Sequence, residues 1–122
     1  MKSALLIDDS KTMLMSLSKI LGQAGFAVDT ASDGDEGLAK VKGGARPTVI
    51  ITDLNMPRMD GITFIREARK AGARFTPILM LTTESQAAKR AEAKAAGATG
   101  WLVKPVAPDA LLGVIAKVAP GA

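Results

Sequence analysis

Short apolar runs alternate along the chain with longer segments in which apolar residues recur every three or four positions. Five of these runs have the length of a β-strand, and they cover residues 4–7, 26–31, 48–52, 77–81 and 100–103. The run at 26–31 alternates only weakly, which is typical of an edge strand. Each run precedes a segment with helical periodicity, so the pattern predicts strand and helix repeated five times.

The helical segments are bounded by residues that commonly end or begin helices. Gly25, Gly43, Gly72 and Gly97 follow four of them, and Pro108 suits the first turn of the last one. The fourth predicted helix, 85–96, is rich in alanine and should bury little apolar area. The residues expected to face the core from the other helices are Met13, Leu17, Ile20, Leu21, Ala24, Leu38, Val41, Ile62, Ile65, Ala68, Leu111, Leu112, Ile115 and Val118.

Strands that are apolar throughout and alternate with helices indicate a parallel sheet covered on both faces. Right-handed crossovers then give an α/β fold with a doubly wound five-stranded parallel sheet, flavodoxin-like, with helices on both faces. With the strand order 2-1-3-4-5, the topological switch point lies between the first and third strands. Ligands of such sheets bind at this point, beyond the carboxyl ends of the strands.

Charged and hydroxyl side chains follow four of the predicted strands. Because the carboxyl ends of parallel strands meet at one edge of the sheet, we expect these side chains to converge there. Carboxylates, a hydroxyl and an ammonium at one edge suit a hard cation and a phosphoryl group. The residues concerned are Asp8 and Asp9, Asp53, the pair Thr82 and Thr83, and Lys104.

Asp8, Asp9 and Asp53 predict a Mg²⁺ site. Three crowded carboxylates repel one another, and a cation relieves that repulsion. Mg²⁺ prefers oxygen ligands in near-octahedral geometry and usually keeps several waters. The loop after Asp53 can supply one more oxygen, the backbone carbonyl of Asn55. Asp8 or Asp9 could instead cap the first helix, but capping rarely needs two carboxylates.

Asp53 is the best candidate for a nucleophile, because a carboxylate can form an acyl phosphate. Lys104 has two compatible interpretations. It neutralises charge on a transferring phosphoryl group, or it is a counter-ion that keeps the acidic cluster folded. The hydroxyl can come from Thr82 or Thr83, and the sequence does not choose between them.

The composition narrows the class of protein. Cysteine and histidine are absent, which excludes disulfides, thiolate metal sites and a phosphohistidine on this chain. The net charge is +4, but the basic residues are spread over the predicted helices. With one Trp, three Phe and no Tyr to stack on bases, we expect no nucleic-acid interface. The basic residues instead indicate solvated helix faces or a surface for an acidic protein partner.

No segment approaches the length of a membrane span, and 48% of the residues are apolar, an ordinary value for a globular protein. The first predicted strand begins after Met1, Lys2 and Ser3, which leaves no room for a signal peptide. We therefore expect a cytoplasmic protein that does not associate with membranes.

Ordered motifs along the chain resemble the receiver domains of bacterial two-component response regulators. The likeness covers about residues 3–118 and implies a single receiver domain over residues 1–122. A narrower likeness, to stand-alone chemotaxis regulators of the CheY type, lies in 55–57, 82–84 and 100–105. The motifs of the wider likeness are Asp8-Asp9-Ser10, residues 53–61 from Asp53 to Gly61, residues 81–84 from Leu81 to Glu84, and Lys104-Pro105.

The resemblance implies roles for the residues at the strand ends. Asp53 would be the phosphoacceptor. Asp9 and Asp53 would bind Mg²⁺ directly, Asp8 would act largely through water, and Asn55 would contribute its backbone carbonyl. Lys104 would contact a phosphoryl oxygen and would precede a cis proline.

The resemblance also implies a switch. Thr82 would be its hydroxyl, and Trp101 would occupy the place of its aromatic residue, which is usually Tyr or Phe in relatives. Asn55 and Glu84 would tune hydrolysis of the phosphoryl group, and polar side chains at both places indicate a short lifetime. Many chemotaxis relatives carry a basic residue where this sequence has Leu14. The resemblance therefore leaves open which residues form the motor-facing surface.

The partners that the resemblance implies are a histidine kinase as phosphodonor and a flagellar motor switch protein or another downstream protein. The downstream protein would bind the face made by the fourth helix, fifth strand and fifth helix, and the protein would be a monomer. It would be a phosphoacceptor, not an enzyme, apart from self-catalysed phosphotransfer and dephosphorylation.

Three alternatives remain open. The first is a phosphate sink or phosphorelay intermediate with the same fold. The second is an aspartyl-nucleophile phosphatase of the haloacid-dehalogenase type, which would need an acid where Asn55 stands. The third is a nucleotide-binding switch. Such proteins place a glycine-rich loop before a helix, and this sequence has no such loop.

Overall fold

The computed structural model describes residues 2–83 and 86–120, and in these ranges five strands alternate with five helices. The strands are β1 (Ser3–Ile7), β2 (Ala27–Ala31), β3 (Val49–Thr52), β4 (Ile78–Thr82) and β5 (Gly100–Val103). The helices are α1 (Lys11–Gln23), α2 (Gly34–Lys42), α3 (Gly61–Lys70), α4 (Ala87–Ala96) and α5 (Pro108–Val118). The predicted alternation of strand and helix is confirmed.

The five strands form one parallel sheet in the order β2-β1-β3-β4-β5, as predicted. β1 lies between β2 and β3, so chain connections leave it in both directions and the switch point lies beside it. The register aligns Ile7 of β1 with Thr52 of β3. The residues that follow these two, Asp8 and Asp53, therefore leave the sheet side by side.

The sheet has an apolar layer on each face. One layer is built around Phe64 and Ile65 of α3 together with α2, and the other around Leu17 and Leu21 of α1 together with α5. Phe64 is fully buried although the helical pattern was assigned to Ile62, Ile65 and Ala68. α3 packs against both α2 and α4 and so buries a wider face than a helix with one neighbour.

Polar caps fix where three of the helices begin. Ser10, Asp33 and Asp60 each accept a backbone N–H from the residue three positions later, which satisfies an otherwise unpaired donor. A glycine marks the end of α4. Its C-cap is Gly97, whose φ of 114° is unfavourable for a residue with a Cβ.

Several boundaries differ from the sequence prediction by one or two residues, and two of them lie near the predicted site. Thr82 is the last residue of β4, paired with Val103, whereas the apolar run had placed the strand end at Leu81. α4 begins at Ala87, later than the predicted start at Ser85, and Ser85 lies outside the described residues. Within the described residues, none of the helices is long and apolar enough to cross a membrane.

Candidate functional site

The carboxyl ends of β1 and β3 bring three acidic residues together. The backbone N–H of Asp53 donates to the carbonyl of Ile7 at 2.9 Å, and that of Asp8 donates to the carbonyl of Ala31 at 3.1 Å. These bonds continue the sheet by one residue and set the two aspartates beside each other. One carboxylate oxygen from each of Asp8, Asp9 and Asp53 lies within 4.8 Å of the others.

Lys104 reaches this cluster from the end of β5. Its backbone N–H donates to the carbonyl of Thr82 at 2.8 Å, which fixes the chain where the strand ends. The Lys104 Nζ atom lies 3.0 Å from Asp8 Oδ2 and 3.6 Å from Asp53 Oδ1. The bond from Lys104 to Pro105 is cis, as the resemblance implied. The structure thus brings together the acids and the base that the sequence placed at one edge.

The adjacent residues Asp8 and Asp9 have different environments. Asp8 is 4% exposed, and both of its oxygens have protein donors, since Oδ1 accepts the Ser10 backbone N–H at 2.9 Å and Oδ2 accepts from Lys104. Asp9 is exposed. Asp8 is therefore held by the protein, and Asp9 offers its carboxylate to solvent.

Asp53 is partly buried, and its two oxygens differ. Oδ1 accepts the Leu54 backbone N–H at 2.8 Å, and Oδ2 accepts no hydrogen bond from any residue in 2–83 or 86–120. Burial raises the pKa of the Asp53 carboxyl above its ordinary value. The Asp8 and Asp9 carboxylates raise this pKa further, and the Lys104 ammonium and the Leu54 N–H oppose them.

The donor set fits a hard divalent cation such as Mg²⁺. Carboxylate oxygens are the ligands that this ion prefers, and the three groups are close enough together for one ion to contact more than one of them. The raised pKa of Asp53 reflects the cost of gathering negative charge in a partly buried place. A cation would offset that cost. The cluster has the character of the Mg²⁺ site of a receiver domain.

The remaining predicted site residues differ in their exposure to solvent, and one of them lies outside the described residues. Thr82 is fully buried at the end of β4, whereas Thr83 is exposed. Asn55 is exposed in the loop after β3. Trp101 is half-buried on β5. Glu84 lies outside the described residues.

Gly61 is a site residue that had no predicted role beyond its place at the end of the motif 53–61. A Cβ at Gly61 would overlap the carbonyl oxygen of Asp53 and would meet the tip of Met80 at 3.0 Å. The Gly61 N–H donates to the carbonyl of Leu54 at 2.8 Å, and the Thr52 hydroxyl donates to the carbonyl of Asp53 at 3.0 Å. Gly61 therefore allows α3 to close against the backbone of Asp53. The Asp60-Gly61 pair was the available signal.

The model of the response regulator receiver domain matches residues 4–116, most of the chain. The chain belongs to the receiver domain family. Receiver domains accept a phosphoryl group from histidine kinases, and they are phosphoacceptors rather than enzymes in the usual sense. The resemblance stated from the motifs is confirmed.

Individual receiver domains share most of this fold. The Vibrio cholerae chemotaxis protein CheY4 is 49% identical, has a TM-score of 0.91 and aligns over 97% of this chain and 98% of its own. The Helicobacter pylori chemotaxis protein CheY1 is 37% identical over 88% of each chain. A Burkholderia pseudomallei response regulator solved with a phosphorylated aspartic acid, a calcium ion and citrate is 29% identical, with a TM-score of 0.86 over 94% of this chain and 66% of its own.

The relatives differ in length. This receiver domain spans about half the length of the first curated relatives that it matches, and it spans nearly all of the CheY proteins named above. The two CheY proteins named above are chemotaxis proteins.

Proposed function

We propose that this receiver domain takes a phosphoryl group from a histidine kinase onto Asp53 and thereby controls the flagellar motor. The observation that carries the chemistry is the meeting of Asp53 Oδ2, free of protein donors within the described residues, with Asp8, Asp9 and Lys104 at one edge. The Burkholderia relative with its phosphorylated aspartic acid supports the same chemistry.

Asp53 Oδ2 attacks the phosphorus of the phosphohistidine of the kinase. A new bond forms between oxygen and phosphorus, the bond between phosphorus and nitrogen breaks, and the imidazole leaves with the electron pair. Lys104, held by Asp8, neutralises negative charge on the phosphoryl oxygens as they approach. None of residues 1–122 is a histidine, so the phosphodonor lies outside this sequence.

Asp8, Asp9, Asp53 and the backbone carbonyl of Asn55 would hold Mg²⁺. When bound, Mg²⁺ supplies positive charge to the transferring phosphoryl group. Asp9, which is exposed, and Asp53 would bind the ion directly. Asp8 already has two protein donors and would contribute through water.

The switch would couple the phosphoryl group to the surface formed by α4, β5 and α5. Thr82 would follow the phosphoryl group with its hydroxyl, and Trp101 would respond on the neighbouring strand. Asn55 and Glu84 would tune the access of hydrolytic water. A flagellar motor switch protein is the proposed partner of that surface, because the protein resembles chemotaxis proteins over nearly its whole length.

Asp53→Asn tests the phosphoacceptor. With acetyl phosphate and Mg²⁺, intact-mass measurement should detect phosphorylated wild type and no phosphorylated Asp53→Asn protein. Asp60→Asn is the matched control: it makes the same chemical change in the same loop, and Asn caps α3 as well as Asp does. The control should accept phosphate as the wild type does. Full labelling of Asp53→Asn would refute the assignment.

Binding to a flagellar motor switch protein tests the output. The phosphorylated protein, or its beryllofluoride complex, should bind that partner at least tenfold more tightly than the unmodified protein, since the switch must distinguish its two states by several kcal/mol, about 5.5 for full inversion. Phosphorylation without any gain in binding would favour the phosphate sink or relay intermediate.

A further inference from the structure

Arg58 adopts an unusual backbone conformation in the loop between β3 and α3. Its φ is +68°, and within residues 2–83 and 86–120 it is the only residue other than glycine with a positive φ. This conformation is sterically unfavourable for a residue with a Cβ. Such a conformation persists when surrounding contacts hold it.

Two ion pairs join Arg58 to the start of α2. The Arg58 Nη2 atom lies 2.5 Å from Asp33 Oδ2, and Nε lies 3.3 Å from Asp35 Oδ2. Asp33 is itself fixed, because its Oδ1 caps α2 by accepting the Glu36 N–H at 2.8 Å. Arg58 therefore fastens the loop to a rigid helix end.

The loop also packs closely on that helix end. A Cβ at Gly34 would meet the Met59 carbonyl oxygen at 2.9 Å and the Met59 side chain at 3.0 Å. The loop thus packs on the start of α2 through Met59, and Gly61 lets it close against the backbone of Asp53. Along the chain, Asn55, whose carbonyl would bind the metal, lies between Leu54, which accepts the Gly61 N–H, and Arg58.

We propose that Arg58, with Asp33 and Asp35, is a clamp that positions the loop after β3 for cation binding. The clamp rests on the proposed Mg²⁺ site. Arg58 is a positioning residue and does not touch the ion. It restricts the conformations of the loop before the ion binds. Binding of the ion by Asn55 therefore costs less conformational entropy.

The same residues also change the electrostatic potential at the cluster, which is a competing explanation for any effect on affinity. Removal of Arg58 makes the site region more negative and would by itself strengthen cation binding. Removal of the Asp33 and Asp35 carboxylates makes it more positive and would by itself weaken binding. The clamp predicts weaker binding in both cases, because either change releases the loop.

The experiment compares Mg²⁺ affinity by calorimetry on unphosphorylated protein. The variants are Arg58→Ala and the double variant Asp33→Ser/Asp35→Asn, in which Ser retains a helix cap. We expect both to bind Mg²⁺ about three- to tenfold more weakly, the effect of losing exposed ion pairs that act together. Arg58→Lys should bind with intermediate affinity, because lysine can form one of the two pairs.

Two controls separate the clamp from charge and from backbone strain. Arg74→Ala removes the same charge from an exposed residue before β4, at the opposite edge of the sheet, and should leave Mg²⁺ affinity unchanged. Arg58→Gly removes the ion pairs and also relieves the unfavourable φ. It should bind as weakly as Arg58→Ala. Wild-type affinity in Arg58→Gly would overturn the clamp, and circular dichroism checks that each variant is folded.

Shifts of opposite sign in Arg58→Ala and Asp33→Ser/Asp35→Asn would overturn the clamp in favour of a field effect. Unchanged affinity in both would overturn it as well. If the wild type itself bound no Mg²⁺, the proposed metal site would fall, and the clamp with it. Wild-type binding with unaffected variants would overturn the clamp alone.

Discussion

At the scale of single residues, Asp53 illustrates a conflict between folding and function. Folding moves its carboxyl into a partly buried place beside Asp8 and Asp9, and the resulting rise in its pKa shows that the ionised form is disfavoured there. Lys104 offsets only part of this effect. A cation bound beside this carboxylate would offset the cost, which suits a phosphoacceptor that works with Mg²⁺.

Asp53→Asn is therefore expected to raise the free energy of unfolding when Mg²⁺ is absent. The native pKa of Asp53 is raised, so the folded state holds the proton to a higher pH than the unfolded state does. Asp53 then disfavours folding above its native pKa, and this penalty disappears as the pH falls toward the unfolded value of 3.8. Urea unfolding in EDTA at several pH values measures the effect.

The gain in stability of Asp53→Asn over wild type should be largest at neutral pH and should shrink as the pH approaches 4. Asp60→Asn again serves as the control, because it alters a carboxylate in the same loop without entering the cluster. A gain that is equal at all pH values would contradict the electrostatic explanation.

At the scale of elements, α4 is attached to the rest of the molecule unevenly. Only Ala93 of this helix is buried, and its N-cap Gln86 makes no capping hydrogen bond through its side chain. Its C-terminal end is held by Arg69, which donates to the Gly97 carbonyl at 2.6 Å and to the Thr76 carbonyl at 2.5 Å. The contacts described for α4 therefore lie in its C-terminal half.

Trp101 lies beside this helix and should report its movement. The indole lines a cavity of about 310 Å³ with Ala93 and Lys94, and its buried Nε1–H has no acceptor among the described residues. Leaving a buried donor unpaired costs about 1–3 kcal/mol, so a rearrangement that gives it a partner is favoured. Fluorescence of this sole tryptophan should therefore change when Mg²⁺ and beryllofluoride are added.

Thr82→Ala separates the switch from direct effects of the ligand on Trp101. The variant keeps the acidic cluster, so it should still bind beryllofluoride, but the change in Trp101 emission and acrylamide quenching should be at least halved. Emission that stays flat in the wild type would identify Trp101 as a static packing residue. The switch would then have to act through α4 alone.

At the scale of the whole molecule, the fold separates charge along the strand direction. Asp8, Asp9 and Asp53 lie at the carboxyl edge of the sheet, whereas basic residues occupy the last turns of α2, α3, α4 and α5. Cations near helix C-termini are favourable because they oppose the helix dipole. At the other edge, Lys104 pairs with Asp8 and Asp53 and offsets only part of the negative charge of the cluster, so a bound cation should stabilise the entire fold.

Mg²⁺ is therefore expected to raise the free energy of unfolding. Saturation at about 100 times the dissociation constant should add about 2.7 kcal/mol, provided the unfolded chain does not bind the ion. Asp9→Ala should lose most of this gain because Asp9 is the acid most open to solvent. Thermal unfolding across a Mg²⁺ titration measures it. Asp109→Ala, which removes an acid outside the cluster, should retain the gain.

An unchanged melting temperature of the wild type across the titration would contradict the metal site. Equal gains in Asp9→Ala and Asp109→Ala would instead show that the ion binds elsewhere. The first result concerns the existence of the site and the second its location.

The sequence by itself determined the order of the elements and the edge at which the site lies. Apolar runs separated by helical patterns specify parallel strands, and parallel strands gather the residues that follow them. Asp8, Asp53 and Lys104 could therefore be placed together although Asp8 and Lys104 are 96 residues apart. This inference needs only the period of the pattern and the handedness of the connections.

The tertiary structure decided how residues that are adjacent in sequence differ in burial and in ion pairing. Asp8 is buried and paired while Asp9 is exposed, and no local pattern distinguishes two adjacent aspartates. The pairing of Arg58 with Asp33 likewise depends on how two loops meet across the sheet edge. Periodicity specifies which face of an element is buried, but contacts between polar side chains depend on packing angles and loop paths that the pattern does not encode.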